Sequence, residues 1–269
     1  MSDDSPVLTS VDEHGVMVAT LNRPEVMNAL NTALGEALID AINEASRRDD
    51  VKALVVTGAG RGFCAGAQVG GGGIESRTEG ALPPRHARMD RRAMSAATVE
   101  AFSNCDVPVI AAVNGPAAGA GFGLALCCDV RIMAESARMG SIFIKRGLAS
   151  DYGASYWLPR IVGIARAYEI LYDGALMDAP RCLDLGLVSR VVPDDRVLDE
   201  AVAHARAIAA GPPLAYTALR RMLQRSTDMP MHDFVEYEWT AQLTLLGTRD
   251  AAEGFRAFME KREPVFKGE

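Results

Sequence analysis

The chain has 269 residues, 49 % of them hydrophobic, with 28 Lys and Arg against 35 Asp and Glu and a net charge of -7. That is enough for a full core, in one domain or one domain with an appendage. An acidic balance with no stripe of Lys and Arg excludes a general nucleic-acid role. Cys64, Cys105, Cys127, Cys128 and Cys182 form no CxxC pair and no framework, so they read as reduced thiols of a cytoplasmic protein. The opening "MSDDSPVLTS" is acidic with no apolar signal segment, and no apolar run reaches transmembrane length. The expectation is a soluble intracellular protein with no membrane partner.

In chain order, "GVMVATLN" (15–22) reads as a short apolar strand, broken by Asn22-Arg23-Pro24. "NALNTALGEALIDAINEASRR" follows, with Leu30, Leu34, Leu38 and Ile42 on one helical stripe and Glu36, Asp40 and Glu44 opposite. "VKALVVTG" is uniformly apolar, as a strand covered on both faces is. Strand, helix, strand is a β/α unit. From Gly70 to about Arg88, glycines, a Pro pair and mixed charge read as a mobile loop. A helix is expected over Met89–Asn104, a third strand in "VPVIAAVNG", a glycine-rich helix entry in "PAAGAGFGLALCC", and a fourth strand in "DVRIMAES". A turn region from Gly140 to Asp151 leads to helices around Gly153–Tyr172, and "MDAPRCLDLGLVSRVVP" holds a short helix and a short strand. Strands end near Val192. Beyond it helices alternate with stops at Gly211-Pro212-Pro213 and Gly247. The organisation is an α/β core over 1–195 with a helical region over 196–269.

Two glycine-rich loops demand an explanation. "TGAGRGFCAG" has a spacing like that of a dinucleotide phosphate loop, but such a loop opens a helix and is followed by an acidic ribose contact. Gly70–Gly73 oppose a helix here. A short-chain reductase's Tyr-x-x-x-Lys is missing too, since Tyr152 is followed by Tyr156 and Tyr216 by Arg220. A nicotinamide-dependent reductase is therefore the weaker reading. The second loop, "AAVNGPAAGAGFGLALCCD", repeats the pattern of apolar strand, glycine turn and small residues opening a helix. Two such loops can aim backbone N–H groups at one point, which is how an oxyanion hole is built.

The sequence resembles the crotonase superfamily, the enoyl-CoA hydratase/isomerase group. The resemblance is carried by "LNRPEVMNAL", "GRGFCAGAQV", "AAVNGPAAGAGFGLALCCDVRIMAESARMG", "GLASDYGASYWLPRIVG" and "MDAPRCLDLGLVSRVVP", in the family's order. It implies an α/β crotonase fold, a spiral of ββα turns with a C-terminal helical region used in trimerisation, and hence a homotrimer or dimer of trimers. It implies an acyl-CoA substrate, with coenzyme A as part of that substrate and no tightly bound cofactor or metal. By motif position, the two N–H groups that hold the thioester oxygen come from Ala67 and Ala120; the family usually has Gly at the second place. CoA and substrate contacts map to Arg23, Val26, Ala65, Gln68, Val69, Gly119 and Phe143. Gln68 stands where many members have Asp. Phe258 and Lys261 correspond to the last-helix residues that meet CoA of a neighbouring subunit, or belong to an ordinary amphipathic helix.

The departures bear on the reaction. Family hydratases hold their water with two glutamates, and those places are Gly123 and Phe143 here. Neither can move a proton. One carboxylate remains in a suitable motif, Asp151 in "GLASDYGASYW", where several isomerases of the family have an acidic residue. One carboxylate suffices to move a double bond, and Phe143 with an apolar pocket would raise its pKa. The bland reading of Asp151 is a helix N-cap. Cys64 reads as loop filler, Asp129 as structural and His86 as a solvated loop residue. Tyr152, Tyr156 and Trp157 either line the acyl pocket or pack the core.

Overall fold

The computed structural model describes residues 5–68 and 93–269. The stretch 70–88, Val69, His86 and the start of the helix expected from Met89 lie outside the described residues.

The strand predicted at 15–22 is β2 (Val16–Leu21), and it pairs antiparallel with β1 (Val7–Val11), a strand that the sequence reading did not register. Helix α1 (Thr32–Arg47) starts two residues after Leu30, where the apolar stripe begins. Asn31 caps it, its side chain accepting the Leu34 N–H at 2.9 Å, so Ala29 and Leu30 remain in the preceding turn. β3 (Ala53–Gly58) is buried at every position, as its uniform apolarity required. Then come α2 (Met94–Asn104), β4 (Val109–Val113), β5 (Ala117–Ala118) and α3 (Ala120–Cys127). They are followed by β6 (Val130–Ala134), β7 (Arg138–Gly140) and a 3-10 turn at Phe143–Arg146. Helices α4 (Ala154–Val162) and α5 (Ile164–Asp173), β8 (Met177–Asp178), α6 (Ala179–Asp184) and β9 (Arg190–Val192) complete the mixed part.

Six strands form one sheet in the order β1-β2-β3-β4-β6-β9, parallel from β2 onward. Every residue of β4 is buried too. Because successive side chains in a strand point to opposite faces, both faces of the sheet's centre are covered. Helix α7 (Val197–Ala209) packs across β2, β3, β4 and β6, while α1 packs on β1, β2, β3 and α2. A smaller sheet, β5-β7-β8, stands beside it. All eight residues of α3 are buried, the mark of a helix apolar all round and enclosed by its neighbours.

Past β9 the chain is helical: α7, α8 (Pro213–Arg225), α9 (Met231–Leu246) and α10 (Arg249–Glu260). Two polar clusters join this tail to the core. The Arg220 guanidinium, 5 % exposed, meets Asp129 at 2.8 Å and donates to the carbonyls of Phe102, Ser103 and Cys105 at the end of α2. Asp129 also accepts the Val109 N–H at 2.8 Å, which confirms it as a structural carboxylate. Arg160 of α4 pairs with Asp228, whose other oxygen takes the Tyr156 hydroxyl. Helix α9 buries none of its residues in the single chain. Among the described residues, no helix is long and apolar enough to cross a membrane.

Candidate active site

The two glycine-rich loops lie against each other. Residues 64–68 run with a neighbour on either side, to which they are joined by isolated bridges. On one side Leu30 bridges Ala67, its N–H donating to Gly66 O and its carbonyl accepting the Gln68 N–H, both at 2.8 Å. On the other, Cys64 bridges Ala117, with Cys64 N–H to Pro116 O and Ala118 N–H to Cys64 O, both at 3.0 Å. In a parallel bridge of this pattern the residue opposite Leu30 turns its own N–H and carbonyl to the other side. Since Gly66 O and Gln68 N–H face Leu30, the Ala67 N–H faces away from it, toward the start of α3.

Ala120 is the first residue of α3, so its N–H is one of the four that a helix leaves without an internal partner. Neither the Ala67 nor the Ala120 N–H meets an acceptor among the described residues. Gly66 explains why the loops can approach so closely. Its φ is +99°, and a Cβ there would lie 2.8 Å from Ala118 O and 3.5 Å from Ala120 N. Only glycine fits that conformation in that space. A cleft of about 60 Å³ opens where they meet, lined by Ala65, Gly66, Ala67, Gly119 and Ala120, with Phe143 and Arg146 among the residues of the facing wall. Phe143 packs half-buried on the core, and its ring lies 3.8 Å from where a Cβ on Gly119 would be. Two N–H donors without an acceptor among the described residues, one of them at a helix N-terminus, are the kind of groups that can hold an oxygen gaining negative charge.

Two asparagines, Asn28 buried and Asn114 half-buried, hold the first loop, and the sequence reading missed both. Asn28 donates to Ala59 O at 3.0 Å and Gly62 O at 2.7 Å, while its own oxygen accepts the Arg23 N–H. Asn114 donates to Gly58 O at 2.9 Å and accepts the Gly58 N–H at 3.1 Å. The available signal was residue type, since Asn tolerates the left-handed backbone that Asn28 adopts. Arg23 reaches across the loop to Ala29 O at 2.7 Å and to the Gln68 side chain at 2.9 Å. Arg23 and Gln68 thus brace one another, with Val26 in the 3-10 turn beside them and Ala65 N–H bonded to Met27 O.

Gly123, the place of the first family glutamate, has no room for a side chain. A Cβ would stand 2.6 Å from both Cβ and O of Tyr152 and 3.1 Å from Asp151 O. Tyr152 is buried with φ +51°, and burial first, then the charge of Asp151, pushes its hydroxyl pKa up. The N-cap reading of Asp151 is corrected here. The cap of α4 is Gly153, with no side-chain bond, and Asp151 Oδ1 instead accepts the N–H of the next residue, Tyr152, at 2.7 Å. The apolar enclosure expected around this carboxylate is corrected too, for Asp151 is exposed in the single chain. Of its aromatic neighbours, Tyr152 packs the core, while Tyr156 points outward to Asp228. Cys64 is buried behind the loop, its thiol pushed up to about 12 by burial, which suits filler and not a nucleophile.

Phe258 and Lys261 stand away from the cleft. Phe258 is 81 % exposed at the rim of a groove between α8, α9 and α10, and Lys261 ends α10. Val69 lies outside the described residues.

Comparisons with known proteins give the family. The sequence profile of the enoyl-CoA hydratase/isomerase family matches residues 12–269. A Rhodobacter capsulatus protein named "Probable enoyl-CoA hydratase" is 38 % identical over 94 % of this chain and 95 % of its own. An Escherichia coli protein named 1,2-epoxyphenylacetyl-CoA isomerase is 34 % identical over 95 % and 96 %. The crystal structure of an enoyl-CoA hydratase from Bacillus anthracis superposes with a TM-score of 0.89 at 31 % identity, covering 98 % of this chain and 100 % of that one. The chain has the crotonase fold and belongs to the enoyl-CoA hydratase/isomerase family.

Proposed function

We propose that the chain is an enoyl-CoA isomerase that shifts a double bond in an acyl-CoA thioester with Asp151 as its single acid/base. The observation that carries this reading is the space at Gly123. The backbone and Cβ of Tyr152 fill it, and Phe143 stands at the other family glutamate position. The paired-carboxylate handling of water has no groups to work with, while the backbone O of Asp151 lies 3.1 Å from where a Cβ on Gly123 would be.

In this reading the thioester oxygen sits between the Ala67 and Ala120 N–H groups. Asp151 takes the α-proton of a 3-enoyl thioester, or the γ-proton of a 2-enoyl thioester, the electron pair is delocalised onto the thioester oxygen as a dienolate, and the two N–H donors stabilise it. The same carboxyl returns the proton at the other end of the conjugated system, so mass is conserved. The Asp151 oxygen that does not bond Tyr152 N–H has no partner among the described residues and is free for that proton. CoA is part of the substrate, and the chemistry asks for no resident cofactor.

Relatives named hydratase support a second reading, water addition by a different acid/base set. The test is to incubate the protein with 3-enoyl- and 2-enoyl-CoA thioesters of several lengths and follow products by mass. Isomers of unchanged mass support the proposal; products heavier by one water support the second reading.

A homotrimer or dimer of trimers completes the proposal. Met231, Val235, Trp239 and Leu243 recur every fourth residue along α9 and all stand more than half exposed, a face that asks for cover. In such an assembly Phe258 and Lys261 would meet CoA held by a neighbour. Sedimentation at micromolar concentration checks it.

A further inference from the structure

The cleft between the two loops contains one charged side chain, and the chemistry proposed above does not use it. Ala65, Gly66, Ala67, Gly119, Ala120, Ile142, Phe143 and Leu148 are apolar or side-chain-free; Arg146 alone among the described lining residues carries charge. It ends the 3-10 turn Phe143–Arg146 and is exposed. Among the described residues it has neither a carboxylate nor a hydrogen-bond acceptor, as is also true of Arg47, Arg61 and Arg166, but of these only Arg146 lines the cleft. Its neighbour Lys145 turns elsewhere: Lys145 Cγ lies 3.4 Å from where a Cβ on Gly174 would be, away from the lining.

A guanidinium and two N–H donors, none with a partner among the described residues, put positive charge and donors together at the cleft of a chain of net charge -7. A fork of N–H donors is shaped to bind a carboxylate in two-point fashion. The phosphates of CoA are a whole pantetheine arm away from the thioester, and the guanidinium shares its cleft with the thioester donors. A negative group reaching it comes more directly from the acyl side.

We propose that Arg146 is a specificity-determining residue that selects acyl-CoA thioesters bearing a carboxylate on the acyl chain. This rests on the acyl-CoA reading above, but not on which reaction follows.

The test uses binding, so that no chemistry is needed. Saturated CoA thioesters of a dicarboxylic acid and of the monocarboxylic acid of equal length are titrated calorimetrically into the full chain. The wild type is expected to prefer the carboxylate-bearing thioester by about tenfold, the worth of one charge-assisted bond partly open to water. Arg146→Gln should abolish that preference while holding the methyl-ended thioester within about twofold. Lys145→Gln, the control for net charge, should keep it. Equal affinity of the wild type for both thioesters would overturn the proposal. So would an equal loss for both in Arg146→Gln that disappears with pantetheine thioesters, since Arg146 would then serve the CoA phosphates. An equal loss for both that persists with pantetheine thioesters would overturn it as well, by assigning Arg146 to the thioester itself. If the wild type binds neither thioester, the acyl-CoA reading falls with it, an outcome distinct from binding without preference.

Discussion

Gly123 and Tyr152 share one space. The position that would bear a Cβ on Gly123 lies 2.6 Å from Tyr152 Cβ and 2.6 Å from Tyr152 O. The glycine is therefore the counterpart of a buried tyrosine in a left-handed backbone. Gly123→Ala should cost about 1–3 kcal/mol, the usual range for overpacking a filled core. Gly123→Glu should cost more and should not create water addition. Thermal melts and the product assay check both; a Gly123→Glu protein of unchanged melting temperature would mean that Tyr152 leaves its place readily.

Ala120 offers a clean probe of the donor pair. It is the first residue of α3, where proline is tolerated because that N–H has no helical partner. Ala120→Pro should keep the fold and lower kcat/KM by about 10²–10³, the cost of one lost donor to a developing oxyanion. Activity within a few-fold of wild type would remove Ala120 from the site.

Arg220 ties the helical tail to the core. Its replacement by Ala would strip the carbonyls of Phe102 and Cys105 and the carboxylate of Asp129 of their shared donor. Asp129 is 31 % exposed and can regain water, so the loss belongs at the low end for a broken buried pair, about 3 kcal/mol. Amide exchange should quicken at the end of α2 and along α8. Unchanged exchange there would show that the latch is redundant.

How far the sequence alone leads can be judged on particular residues. The central strands were legible because Ala53–Gly58 and Val109–Val113 are apolar at every position and both faces are covered. The helix of Thr32–Arg47 was legible from its stripe, but its start was not, because Ala29 and Leu30 are also buried in the turn before the Asn31 cap. The short strands β5, β7 and β8 carry too few residues for a period to show. At the site, Ala67, Ala120 and their glycines were found through motif order. Asp151 was singled out as the acid/base, and its bland alternative as a helix cap could not be dismissed from sequence, because only the αL conformations of Tyr152 and Gly153 put the cap of α4 at Gly153. Arg146 was missed because its place on the cleft wall is a tertiary fact with no local signature.

The buried thiols set an alkaline limit. Burial pushes Cys64, Cys127 and Cys182 up to about 12, against an ordinary value of 9.0. The folded chain keeps these protons to a higher pH than the unfolded chain. The stability tied to the neutral thiols is complete below about pH 9 and is lost as pH rises toward 12. At neutral pH the folded protein should resist iodoacetamide at every cysteine, all five being buried. Alkylation should appear only with unfolding. Rapid labelling of Cys64 in folded protein would show that its loop opens.

The central claim is that one carboxylate, Asp151, moves the proton. The most direct measurement compares wild type and Asp151→Asn on a 3-enoyl-CoA thioester, following isomer and hydrate together by mass, with thermal melts of both proteins alongside. The account predicts isomerised product of unchanged mass from the wild type, and a fall of about 10²–10⁴-fold in the variant. Its melting temperature should be close to wild type, because Asp151 is exposed. A variant that still isomerises at the wild-type rate, or a wild type that only adds water and does so equally well without the carboxylate, would contradict it.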